Sequence, residues 1–266
     1  MEQTDAHRGA MWLRQLTGGA PLAHDWAAVQ VCDATLAGQP ARYIAVVPDP
    51  ENPFPRARNG EVGLVEGWQL ALAVQEVLEL DRNAPVKRPI VAVIDVPSQA
   101  YGRREEAWGI HQALAGAAGA YAQARLAGHP VIGLVVGLAM SGAFLAHGYQ
   151  ANRLIALDDP AVQVHAMGKA SAARVTLRSV EALEKLAASV PPMAYDIRNY
   201  ASLGILWKLL PPEQQDLAQV SAALEAALAD IHEDSERGLA KRLQGPHRQA
   251  SRRVRELLEA QWEDAD

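Results

Sequence analysis

Two uninterrupted apolar runs constrain this chain more than any other feature: "IVAVIDVP" from Ile90 and "HPVIGLVVG" ending at Gly137. A strand with one face in water alternates apolar and polar residues; a run without alternation suits a strand buried on both faces. Pro85 and Pro89 break the chain before the first run, and His129-Pro130 opens the second. Strands buried on both faces need helices layered over them. Helical spacing is present at Leu70, Ala73, Val74, Val77 and Leu78, and again in the small-residue stretch "WGIHQALAGAAGAYAQARLAG". This alternation predicts an α/β fold of layered β-sheets with surrounding helices.

The second run continues as "VIGLVVGLAMSGAFLAHGYQANRLIAL", which invites comparison with a membrane span. Its apolar part, Val131 to Ala146, falls short of the roughly 20 residues a spanning helix needs. Gly133, Gly137 and Gly142 interrupt it, and His147 ends it. The better reading is a strand, a turn at Met140-Ser141-Gly142, and a helix through Ala146.

Elsewhere, "VQVCDATLAGQPARYIAVVP" reads as two strands around a turn at Gly38-Gln39-Pro40. "ANRLIALDDPAVQVHAMG" gives two short strands around Asp158-Asp159-Pro160. Beyond Pro191-Pro192 the pattern is helical and ends in the charged "HRQASRRVRELLEAQWEDAD". The expected organisation is a single domain over 1–266, with an N-terminal arm at 1–25, an α/β core at 26–190 and a helical C-terminal region at 191–266. Those last helices pack on the core or project from it, and part of their surface waits for a partner.

Net charge is −6, which disfavours nucleic acid as the main partner. Cys32 is the one cysteine, so no internal disulfide forms, in keeping with a reducing cytoplasm. The opening "MEQTDAHRGAMWLRQLTGG" lacks the apolar core of a signal peptide. A cytoplasmic location is the expectation.

Ser141 lies in "AMSGA", the outline of a nucleophile elbow with alanines in place of both flanking glycines. A hydrolase reading needs an acid and a histidine downstream; Asp158, Asp159 and His165 follow closely, and His232 and His247 lie in the tail. The alternative is a small residue capping a helix at a tight turn. "GLAMSGA" lacks the Lys-Ser/Thr pair of a phosphate loop. The eight histidines are dispersed, with no recognised ligand spacing, so neither a metal nor a directly bound cofactor is expected. Backbone chemistry remains. A buried strand opening into a helix at Ser141-Gly142-Ala143 leaves N–H groups free, with the helix dipole behind them, as an oxyanion hole requires.

From about Ala41 to Thr176 the order of motifs resembles the carboxyltransferase half-domain of acyl-CoA carboxylases, in the crotonase-like superfamily. Asp95-Val96-Pro97-Ser98-Gln99 stands where those enzymes carry Asp-x-Pro-Gly-Phe, and Gly109-Ile110 opens the following helix. Ser141-Gly142-Ala143-Phe144 replaces Gly-Gly-Ala-Tyr, and His165-Ala166-Met167-Gly168 replaces Ala-Val-Met-Gly. The changes at Ser98, Gln99 and Ser141 argue against a standard biotin acceptor site. The blocks "DVPSQAYGRREE", "GLAMSGAFLAHG" and "VHAMGKASAARVT" resemble the malonate decarboxylase gamma-subunit family.

That resemblance implies a hetero-oligomeric enzyme. A beta subunit supplies the complementary half, an acyl carrier protein presents malonyl on a phosphopantetheine-type group, and an alpha subunit transfers the carrier. The backbone of Gly142 and Ala143 becomes the oxyanion hole, Ser141 a hydrogen-bond donor and His165 a proton donor to the carbanion. Ser98, Gln99, Met140 and Gly168 become substrate-binding residues. A serine hydrolase using Ser141 and a non-catalytic scaffold with a vacant site remain as alternatives.

Overall fold

The computed structural model describes residues 7–234, 238–245 and 247–263. The strands are β1 (Val29–Leu36), β2 (Gln39–Val46), β3 (Ile90–Val96), β4 (Val131–Met140), β5 (Arg153–Leu157), β6 (Gln163–His165) and β7 (Lys208–Leu210). The longer helices are α1 (Arg8–Leu16), α2 (Leu64–Leu80), α4 (Ile110–Leu126), α9 (Leu217–Glu233) and α10 (Gln249–Glu263). Shorter ones are α3 (Arg103–Ala107), α5 (Ser141–Ala146), α6 (Lys169–Val175), α7 (Val180–Ala187) and α8 (Ile197–Ser202).

β1 and β2 form an antiparallel hairpin, Val29 opposite Val46 and Leu36 opposite Gln39. Ala37 and Gly38 turn it with φ of +50° and +75°, the left-handed pair that a two-residue hairpin turn demands. From β2 onward the neighbours are parallel, in the order β1-β2-β3-β4-β5-β7. Every residue of β3 is buried, and so is β4 apart from Leu138, which explains why neither run alternates. The expected layering takes the form of a fork. β4 pairs with β5 over Ile132–Val135 and then with β6 over Leu138–Met140, so its second half leaves the main sheet.

The fork has a local cause. Ile94 pairs with Val135 but Val96 pairs with Ala139, so β4 carries two more residues than β3 across that step. The carboxylate of Asp95 enters the gap and accepts from the Leu138 N–H at 2.9 Å. Its other oxygen accepts from the Gly9 N–H at 3.3 Å and faces His7 at 3.4 Å, so the same side chain docks the start of α1. Residues 8–16, within the stretch expected as an N-terminal arm, are thus a helix that buries Trp12 and Leu13 in the core.

Helices α2 and α4 approach closely where Gly67 meets Ala113: a Cβ on Gly67 would lie 2.8 Å from the Ala113 carbonyl carbon. Helix α9 buries Val220, Leu224, Leu228 and Ile231. Helix α10 contrasts with it, exposing Val254, Leu258 and Trp262 along with its charged residues. Among the described residues no helix is long and apolar enough to cross a membrane.

Candidate active site at the turn between β4 and α5

The bend in β4 delivers the chain to a strained turn. Ser141 has φ +60°, a conformation that suits glycine and costs a serine about 1 kcal/mol. Beyond it the Gly142 N–H points out of the first turn of α5 and donates to Gln99 Oε1 at 3.1 Å. Ser141 Oγ lies 3.5 Å from the same oxygen. A Cβ at position 142 would sit 2.1 Å from Gln99 Oε1, so the turn is open only because this residue is glycine.

Gln99 is held from the other side. Val62 N–H donates to Ser98 O at 3.0 Å and Ala100 N–H donates to Val62 O at 2.9 Å, clamping the backbone on either side of it. Val62 is itself fixed by the start of α2. There buried Glu66 accepts from Gly63 N–H at 2.8 Å and from Asn52 Nδ2 at 2.5 Å, and burial raises its carboxyl pKa. The Ser98 hydroxyl donates to the Gln99 carbonyl at 3.0 Å, a bond within the turn.

Two cavities meet at this point. One of about 510 Å³ is walled by Ser141, Phe144, Tyr149, His165 and Tyr200. The other, of about 410 Å³, lies toward α4 and is walled by Glu106, Ile110, His111 and Leu114. Gln99, Gly142 and Leu145 line both. The aromatic wall is self-supporting: Phe144 meets Tyr149 edge-on at 5.3 Å and Tyr200 at 6.4 Å. Arg242 covers Tyr149 and donates to the carbonyls of Tyr149 and Ala151, at 2.8 and 2.5 Å.

His165 reaches the site because β6 pairs it with Met140. Its ring stacks on Tyr195 at 3.9 Å, and burial lowers its pKa, so at neutral pH the imidazole is uncharged. Nδ1 lies 3.2 Å from Met167 O and 3.4 Å from Met167 N. The shorter contact favours a proton on Nδ1, which leaves Nε2 an acceptor. Donation from Nε2 requires the imidazolium, or the other tautomer with Met167 N–H donating to Nδ1.

The remaining expected site residues fall elsewhere. Ala143 is fully buried and lines neither cavity, so of the two backbone donors Gly142 is the one that borders them. Met140 packs with Ala172, Leu183 and Tyr195, because the β4–β6 pairing turns its side chain into that small cluster. Ser98 and Gly168 line neither cavity, Gly168 serving as the residue that precedes α6. Conversely, Tyr149, Tyr200, Leu203 and Ile205 line the larger cavity although no motif marks them. An aromatic in a helical tail carries no sequence signal of which cavity it walls.

Among the described residues no hydrolase triad assembles around Ser141. Asp158 is bound to Arg198 at 2.7 Å and Asp159 to Arg8 at 2.8 Å. His165 contacts Met167 and Tyr195, and His232 and His247 are exposed. Gln99 is the residue to which the Ser141 hydroxyl is bonded, and an amide is no general base.

The family model for the malonate decarboxylase gamma subunit matches residues 57–262, which contain the clamp, the turn, both cavities and α10 as far as Trp262. The chain belongs to that family. A malonate decarboxylase gamma subunit of this kind has solved relatives. A chain of a Pseudomonas malonate decarboxylase hetero-tetramer, in complex with coenzyme A, is 66% identical; the match covers 97% of this chain and 100% of that one, with TM-score 0.92. The malonyl-S-ACP:biotin-protein carboxyltransferase MADD of Malonomonas rubra is 33% identical over 196 residues, 73% of this chain and 65% of that protein. This chain therefore spans less than two thirds of that relative's length. Transcarboxylase 12S, with methylmalonyl-coenzyme A and methylmalonic acid bound, is 20% identical with TM-score 0.60 over 77% of this chain and 37% of its own. It shares the fold, and the α/β crotonase-like carboxyltransferase architecture read from the sequence is the one this chain has.

Proposed function

We propose that this gamma subunit, with a beta subunit, decarboxylates malonyl carried as a thioester on an acyl carrier protein, and that the Gly142 N–H stabilises the enolate. The observation that carries the reading is the 3.1 Å bond from Gly142 N–H to a carbonyl-type oxygen at the junction of two cavities. A donor that already holds a neutral amide oxygen is placed to hold a thioester oxygen as it gains charge.

The chemistry needs little else. The bond from the α-carbon to the carboxyl carbon breaks, its electron pair enters the thioester as an enolate, and CO₂ departs. Protonation at the α-carbon then gives the acetyl thioester. No nucleophile takes part, which agrees with a Ser141 that lacks a base. A preorganised donor in a site shielded from water works best where the charge develops, and one such donor is worth ~10²–10³ in rate. His165 protonates the carbanion from Nε2 as the imidazolium and returns to the neutral ring with its remaining proton on Nδ1, facing Met167 O. Because burial lowers the pKa of the ring, the protonated form declines as pH rises through neutrality and that step slows with it.

The beta subunit completes the pocket. The phosphopantetheine-type arm of the carrier enters through the cavities, an alpha subunit exchanges the carrier's acyl group, and the assembly acts in the cytoplasm. Arg248, just before α10, and the exposed Arg252, Arg253 and Arg255 on that helix dock the acidic carrier. A second reading has one observation behind it: the Malonomonas rubra relative is a malonyl-S-ACP:biotin-protein carboxyltransferase, so the carboxyl group would pass to biotin rather than leave. The two are separated by co-purifying the gamma and beta subunits and supplying malonyl-carrier without any biotin protein. Release of CO₂ supports decarboxylation; turnover only when a biotinylated acceptor is added supports transfer.

A further inference from the structure

We propose that Gln99 is an internal occupant of the acyl-oxygen site: its side-chain carbonyl holds the Gly142 N–H until a thioester displaces it, and its swing joins the two cavities into one channel. This rests on the function proposed above and specifies how the site is kept closed between substrates.

Three observations carry it. The bond has a defined sense, because a backbone N–H can meet only the oxygen end of the amide. No spare volume separates the two groups, since a single added Cβ on Gly142 would overlap the Gln99 oxygen. The bonds of Ser98 and Ala100 to Val62 fix the backbone on both sides, so the movement belongs to the side chain alone. The same amide is also part of the boundary between cavities of about 510 and 410 Å³. Neither alone reaches from the aromatic wall of Tyr149 and Tyr200 to Glu106 and His111 on the far side of Gly142.

The physical consequence is competition for a single donor. An empty oxyanion site leaves a partly buried N–H without a partner, which is costly; the glutamine supplies one. A ligand then binds with its affinity reduced by the fraction of molecules whose site is open. A neutral thioester oxygen competes with the amide on nearly equal terms. An enolate oxygen outcompetes it, because hydrogen bonds to charged acceptors are roughly twice as strong as neutral ones. Gln99 therefore lowers the apparent affinity for thioester and enolate by the same factor, and the enolate overcomes it because its own bond to the Gly142 N–H is stronger.

The test uses the assembled gamma–beta complex and acetyl-pantetheine, a thioester that cannot decarboxylate. Gln99→Ala removes the competitor and should bind the probe several-fold more tightly than the parent. Gln99→Glu leaves an acceptor that carries charge, holds Gly142 more strongly and should bind it about tenfold more weakly. Opposite shifts for the two variants support the proposal. Weaker binding by both overturns it, since Gln99 would then be a substrate contact. A crystal structure of the ligand-free complex decides independently of any substrate: Gln99 Oε1 beyond bonding distance of Gly142 N also overturns it. If the complex binds no thioester and releases no CO₂, the proposed function fails, while that structure still decides whether Gln99 occupies the site.

Discussion

The Asp95 carboxylate occupies the space that a side chain at Gly137 would need: a Cβ there would lie 2.1 Å from Asp95 Oδ1. The pair sets the course of β4. Glycine lets the carboxylate enter the ladder, and the carboxylate satisfies the Leu138 N–H that the two additional residues would otherwise strand. Asp95→Ala leaves the Leu138 and Gly9 N–H groups without this acceptor, at about 1–3 kcal/mol for each buried group. Thermal melting of the assembled protein should show a clear loss of stability. Gly137→Ala should lose stability as well, by crowding the same space. Parent-like melting in both variants would show that the bend does not depend on this pair.

A buried histidine makes the fold sensitive to acid. His147 is enclosed behind α5, where Nε2–H donates to Val93 O at 3.0 Å and Nδ1 accepts from the Tyr121 hydroxyl at 3.0 Å. Burial pushes its pKa from 6.5 down to about 4. The unfolded chain therefore takes up a proton below pH 6.5 that the folded chain refuses until about pH 4. The stabilisation is complete above pH 6.5 and is lost as pH falls toward 4. At pH 5 this one group removes roughly 2 kcal/mol. Burial also lowers His129 and His165, so both act in the same direction. Urea unfolding at pH 7, 6 and 5 should show a falling free energy; an unchanged value would refute the buried neutral histidine.

Helix α10 carries the least committed charge. Arg252 and Arg253 lie 3.6 and 3.8 Å from Glu256, exposed pairs that add little stability. Replacing Arg252, Arg253 and Arg255 with glutamine should leave melting unchanged. Association with an acidic carrier should slow, and its dependence on salt should flatten, because steered association follows the charge. Unaltered carrier kinetics across a salt series would remove these residues from docking.

The legible parts of this fold are those that local pattern decides. Unbroken apolar runs gave β3 and β4, and Ser141-Gly142 marked the strand-to-helix turn. The hairpin is legible too, although its turn is made by Ala37-Gly38 and not by the expected Gly38-Gln39-Pro40, with Gln39 and Pro40 already in β2. Long-range pairing decides the rest. Gln99 and Gly142 meet only because β3 and β4 are neighbours, and no spacing rule announces that an amide will cap a backbone donor. Residues 1–25 read as an arm because the sequence does not reveal that Asp95 receives the start of α1. Met140 sits beside the turn in sequence, yet strand alternation sends its side chain toward Leu183 and Tyr195. Tyr149 and Tyr200 wall the cavity from loops and helices whose placement depends on the whole tail.

The central claim is that the Gly142 N–H, and the acyl-oxygen position that Gln99 vacates above it, perform the chemistry. It is tested most directly by CO₂ release from malonyl-carrier, comparing Gly142→Ala with Ser141→Ala in the assembled complex. A Cβ at position 142 meets the flexible end of Gln99, with Leu114 Cδ1 next at 3.4 Å, so Gly142→Ala should fold while filling the acyl-oxygen position. Its turnover should fall by ~10²–10³. Ser141→Ala keeps every backbone N–H and should retain activity within a few-fold of the parent. Near-parental turnover by a folded, assembled Gly142→Ala together with an inactive Ser141→Ala would contradict the account and return the serine to the centre of the mechanism.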